Sequence, residues 1–175
     1  MPNLVPFYET TTALSFALLG FWWLVIELRH REFVTDPVLR RAAYQMSLYF
    51  ALPGLMSLTA LLATENTVLW RVGFVAAGVL GLSQAPAAVR ALRWTRSSKI
   101  LAGQWAMTAL YALLVLIALA PTLPEKLGLG LSGLEAEGVL VVLFVFLGIN
   151  VAWAHFMHSP STSDPGDADL PRGRF

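Results

Sequence analysis

Seven polar side chains lie in or at the edge of apolar stretches of this sequence: Glu27, Gln45, Arg71, Gln84, Gln104, Asn150 and His155. In hydrocarbon a carboxyl, amide, guanidinium or imidazole is costly, so each needs a partner or serves a ligand, an ion or a proton. Six of the seven fall in the half of those stretches that adjoins arginine-rich loops; Arg71 is the exception. By helical rise, Gln84 is about 9 Å inside Arg90 and Asn150 about 12 Å inside His158. Five of the six tryptophans (Trp22, Trp23, Trp94, Trp105, Trp153) share this half. An interfacial aromatic belt accounts for Trp94 and Trp105, whereas Trp22 and Trp23 lie deeper.

Spacing links these groups. Phe16, Gly20, Trp23 and Glu27 recur at intervals of 4, 3 and 4, as do Phe146, Asn150, Trp153 and Met157; Gln45, Tyr49, Leu52 and Met56 form a similar stripe. Residues so spaced share one helix face. The pattern predicts a one-sided polar pocket built from Glu27, Gln84, Asn150, His155, Trp23 and Trp153, bounded by the first, third and fifth helices. Simpler readings stand beside it. Arg31 lies one turn after Glu27, and an i,i+4 ion pair would satisfy that carboxyl. His30, His155 and His158 could supply axial haem ligands, or with Glu27 a zinc site. Interfacial histidines are the simpler account, so no metal is expected and no cofactor is specified.

Other chemistry is excluded more firmly. With no cysteine there is no disulfide, thiolate ligand or cysteine nucleophile. The phosphate-loop, H-E-x-x-H and G-x-S-x-G patterns are all absent. A net charge of +1 gives no reason to expect a nucleic-acid partner.

The elements that would position these residues are membrane spans. Hydrophobic residues make up 57% of the 175 and charged residues 13%, about half the charge of a soluble domain, which is roughly 25%. Five apolar segments, 10–28, 44–63, 68–89, 100–120 and 138–157, are 19 to 22 residues long, and about 20 residues cross a bilayer core. The expected fold is all-α: a single five-span membrane domain over 1–158 with a polar, disordered tail over 159–175. Ten of the twelve Lys and Arg residues fall after the first and third segments or in the tail; Arg71 and Lys126 are the other two. The positive-inside rule then places the N-terminus outside and the C-terminus in the cytoplasm. Glu9, Glu65, Glu125, Glu135 and Glu137 are assigned to the outer loops and the outer half of the spans to hydrocarbon. With no basic residue before Arg29, the first segment is not expected to be a cleaved signal.

Local signals refine this picture. Asp36-Pro37 reads as a helix start, Pro53 and Pro86 interrupt two spans, and loop 121–137 is rich in Gly and Pro. Gly73, Ala77, Gly81 and Ala85 form a small-residue stripe on which another helix backbone can pack closely. The function expected is a non-catalytic accessory or ligand-binding subunit, holding a lipid, pigment or quinone, of a larger assembly in a prokaryotic inner (plasma) membrane. The partners expected are the lipid bilayer and either copies of this chain or another membrane protein. An oligomeric channel or transporter with a cytoplasmic vestibule, and an intramembrane enzyme, are the alternatives.

Overall fold

The computed structural model describes residues 4–62, 67–84 and 98–157, and these are all-helical, with no strand among them. In chain order the helices are α1 (Val5–Leu28), α2 (His30–Thr35), α3 (Pro37–Leu62), α4 (Thr67–Leu82), α5 (Ser98–Leu119), the single turn α6 (Leu123–Lys126) and α7 (Gly133–Met157). Four are long and apolar enough to cross a membrane: Val5–Leu28, Pro37–Leu62, Ala102–Leu119 and Gly133–Trp153. The third expected span is described only as the 16-residue α4, about 24 Å by helical rise against a hydrocarbon core of about 30 Å. The residues on which a fifth crossing depends, and the tail 159–175, lie outside the described set.

Several helices begin where polar side chains satisfy backbone groups. α1 starts five residues before its apolar run, because Pro6 is compatible with the first turn. The hydroxyls of Thr10, Thr11 and Thr12 donate to the carbonyls of Pro6, Phe7 and Tyr8, which keeps a Thr-Thr-Thr run inside the helix. Asp36 Oδ1 accepts the Val38 and Leu39 amides at 2.7 and 3.4 Å and caps α3. Ser132 and Glu135 form a reciprocal capping box at the start of α7: Glu135 Oε2 accepts the Ser132 amide at 2.8 Å, and the Ser132 hydroxyl accepts the Glu135 amide. Before it, Gly128 and Gly130 take φ of 71° and 66°, the left-handed region open to glycine.

Helices α3, α4, α5 and α7 close a ring: α3 packs on α4 and α7, and α5 packs on the same two. α1 lies outside it, mainly along α3, with a smaller contact to α7. The ring is filled by Met56, Phe74, Leu114, Val141 and Phe144, all inaccessible to solvent. Tyr111 packs on Phe144, ring centroids 4.3 Å apart. The small residues of α4 meet their neighbours closely. A Cβ on Gly73 would come within 2.5 Å of Thr59 Oγ1, and one on Gly81 would overlap the Tyr111 ring. Ala77 is buried, and Ala85 lies outside the described residues.

Candidate functional site

Polar side chains gather at three places. The first is a groove of about 360 Å³ where α1, α2 and α3 meet, lined by Trp23, Ile26, Glu27, Phe33, Arg40, Ala43, Tyr44 and Ser47. Trp22, beside it on α1, donates from Nε1 to the Ala43 carbonyl at 3.1 Å and ties the two long helices together. The α1–α2 junction is fixed by an ion pair between Arg29 and Glu32. The guanidinium holds the exposed Glu32 carboxyl below the usual carboxylate range. This is the one ion pair found among the described residues, so the local charges combine as Arg29–Glu32 and not as Glu27–Arg31. Glu27 therefore lines the groove beside Arg40 as an exposed group.

The second is a small cavity inside the ring, about 10 Å³ in volume, lined by Gln45, Tyr49, Gly81, Gln84, Gln104, Met107, Thr108 and Tyr111. Helices α3 and α5 and the turn that follows α4 supply amide or phenol groups to it. Gln104 Oε1 and the Tyr111 hydroxyl are buried with no hydrogen-bond partner among the described residues. A volume of this size holds about one water.

The third is at the opposite end of the ring. Glu137 is fully buried, and neither carboxyl oxygen has a hydrogen-bond partner among the described residues. Tyr8 and Arg71 are the ionisable groups that interact with it electrostatically. Both are engaged elsewhere. The Tyr8 hydroxyl donates to the Leu134 carbonyl at 2.8 Å, and Arg71 donates from Nε and Nη2 to the carbonyls of Ala118 and Leu119, capping the end of α5.

The six residues expected to form one inner pocket are thus distributed. Glu27 and Trp23 share the groove, and Gln84 lines the ring cavity. Asn150 and Trp153 are exposed on α7, where the Asn150 amide donates to its own helix at Phe146 O, 2.7 Å away. His155 lies in α7, and its side chain is outside the described set.

The half of the bundle that the sequence assigns to the outside is more polar than the nearly pure hydrocarbon expected. The buried residues of α1 are Tyr8, Thr11 and Ser15, a polar stripe at spacings of 3 and 4, and Ser57 and Glu137 are buried in the same half. By hydropathy, which restarts at Gly138, Glu137 belongs to the loop. The Ser132–Glu135 capping box, itself a sequence signal, instead starts the helix five residues earlier and carries Glu137 into the bundle. No protein-family model, curated protein or solved structure matches the chain.

Proposed function

We propose that this chain is a non-catalytic, ligand-binding subunit of a prokaryotic inner-membrane assembly, and that it holds an amphiphile in the groove between α1, α2 and α3. The observation that carries this reading is the groove itself. Its volume of about 360 Å³ falls within the range of small-molecule sites, roughly 300–1,000 Å³. Trp23, Ile26, Phe33 and Tyr44 offer a surface for a ring system or acyl chain, and Arg40, Glu27 and Ser47 offer polar contacts to a headgroup. A lipid, a pigment and a quinone share this pairing of apolar body and polar end.

The test is extraction of the protein purified in mild detergent, with the extract read by mass spectrometry, phosphorus content and visible absorption. Phosphorus identifies a lipid, and absorption a pigment or quinone. Trp23→Ala and Arg40→Gln are each expected to lower retention about tenfold, the loss of roughly 1.4 kcal/mol of binding. Undiminished retention in both variants, or no bound amphiphile in the unaltered protein, overturns the assignment.

The proposal includes five spans with the N-terminus outside, supported by the ten-to-two distribution of basic residues. Cysteines placed by Leu129→Cys and Thr35→Cys are expected to react with an impermeant maleimide from the outside and from the cytoplasm respectively. Labelling of T35C from outside intact cells would reverse the orientation.

A second reading, an oligomeric channel or transporter, is favoured by one observation: the ring carries polar groups at both ends, Gln45, Gln84 and Gln104 at one and Glu137 at the other. Between them Leu114, Val141 and Phe144 are fully buried and form an apolar layer.

A further inference from the structure

We propose that Glu137 is a proton-binding site at the outer end of the four-helix ring, exchanging its proton with the face of the membrane from which α7 enters. The site is separate from the amphiphile groove and does not depend on it.

The argument begins with hydrogen-bond accounting. A carboxyl group withdrawn from water needs a donor, a counter-charge or a proton. Glu137 has no solvent exposure, and neither of its oxygens receives a hydrogen bond among the described residues. Of the nearby donors, Tyr8 donates to the Leu134 carbonyl and Arg71 donates from Nε and Nη2 to the carbonyls that end α5, and neither donates to Glu137. Arg71 acts on the carboxyl from a distance, but no hydrogen bond or ion pair among the described residues reaches it, so a ligand must complete the group.

Three ligands could do so: a donor from a partner protein, a small cation or a proton. A partner's side chain cannot reach a residue with no exposed surface unless the helices separate. A metal cation would enter the field of Arg71, whose positive charge already acts on this carboxyl, and it would need a coordination shell of several oxygens. A proton needs neither space nor a shell. It comes from water, forms one O–H bond and leaves by the same route. The distance is short, because Glu137 is four residues beyond Gly133, the first residue of α7, or about 6 Å by helical rise.

The described surroundings of the site define what else can titrate there; Glu65, between α3 and α4, lies outside the described residues. α1 contributes Tyr8, with Glu9 exposed on the same helix; α4 contributes Arg71; α5 contributes backbone carbonyls. The outer half of α3, residues 52–62, has no charged side chain. On α7 itself Glu135 is engaged by Ser132, and Glu125 and Lys126 on α6 are exposed.

The experiment is pH-step difference infrared spectroscopy on the full chain in nanodiscs at constant ionic strength. The unaltered protein is expected to show a reversible carboxylic-acid C=O band that exchanges slowly with deuterium. Glu137→Gln should abolish it, Glu137→Asp should shift it, and Glu125→Gln should leave it unchanged. The band should not change when sodium is replaced by potassium or choline. If E137Q retains the full band, Glu137 is not the site. If the band responds to the identity of the cation, the ligand is a metal ion and the proposal fails. If neither variant at Glu137 folds, unaltered protein carrying carbon-13 glutamate decides the matter. A slowly exchanging, isotope-shifted glutamic-acid band supports the site, and its absence overturns it.

Discussion

Gly81→Leu is expected to cause one of the largest losses of stability of any single substitution in this chain. A Cβ at Gly81 would overlap Cγ, Cδ1 and Cε1 of Tyr111. That ring has little room to retreat, because it is almost fully buried and packs on Phe144. Between helices in a membrane, close van der Waals packing supplies much of the association that hydrophobic burial supplies in water. Prying α4 away from α5 therefore removes the interaction that holds them. Overpacking of a core costs about 1–3 kcal/mol, and four added carbons against a pinned ring place this case at about 3 kcal/mol or more. Thermal melting in detergent should show a graded loss, Gly81→Ala smaller than Gly81→Leu. A G81L protein that melts with the unaltered one would mean that α4 and α5 do not meet at this position.

Phe144→Ala should cost about 3–5 kcal/mol, the usual range for removing a buried phenylalanine. Phe144 is fully buried at the centre of the ring, and its removal deletes the surface against which Tyr111 rests. The two predictions are coupled. With Phe144 truncated, Tyr111 gains space to move away from α4, so the double variant F144A/G81L should be less destabilised than the sum of the singles. Residues sharing a contact network show such non-additivity at about 0.5–3 kcal/mol. Strict additivity in a reversible unfolding assay would show that the Gly81–Tyr111–Phe144 stack does not act as a unit.

The parts of this architecture legible in the sequence are those that depend on composition along one helix. Apolar runs of about 20 residues identify membrane-spanning helices, four of which the structure describes, and Asp36-Pro37 marks the start of α3. What was not legible depends on how helices rotate against one another. Gln45 and Gln104 lie on α3 and α5 and Gln84 in the turn after α4, and spacing within one segment says nothing about whether the three converge; packing brings them to one cavity. Asn150 is comparably deep along its helix, yet it turns outward and bonds its own backbone. Glu137 was missed for a different reason. Hydropathy treats a glutamate as the end of a span, whereas the Ser132–Glu135 cap places the start of α7 one turn before it. The stripe of Tyr8, Thr11 and Ser15 has helical spacing but little weight in the sequence, because a hydroxyl that bonds within its own helix, as that of Thr11 does, is easily overlooked in apolar sequence.

That stripe determines how α1 is held. The first helix stands beside a ring that closes without it, and lipid tails do not distinguish one apolar face from another. Side chains such as Phe21, Leu24 and Leu28, all exposed, therefore carry almost no information about which way the helix turns. The Tyr8 hydroxyl and the Trp22 indole carry it instead, through their bonds to the Leu134 and Ala43 carbonyls. A rotation of one residue, about 100°, would swing Thr11 and Ser15 out of the protein toward hydrocarbon and pull Tyr8 from the Leu134 carbonyl. The lipid-facing sequence of α1 can thus drift among apolar residues at little cost, while two interhelical hydrogen bonds, one near each end, act as the key that fixes its azimuth and depth.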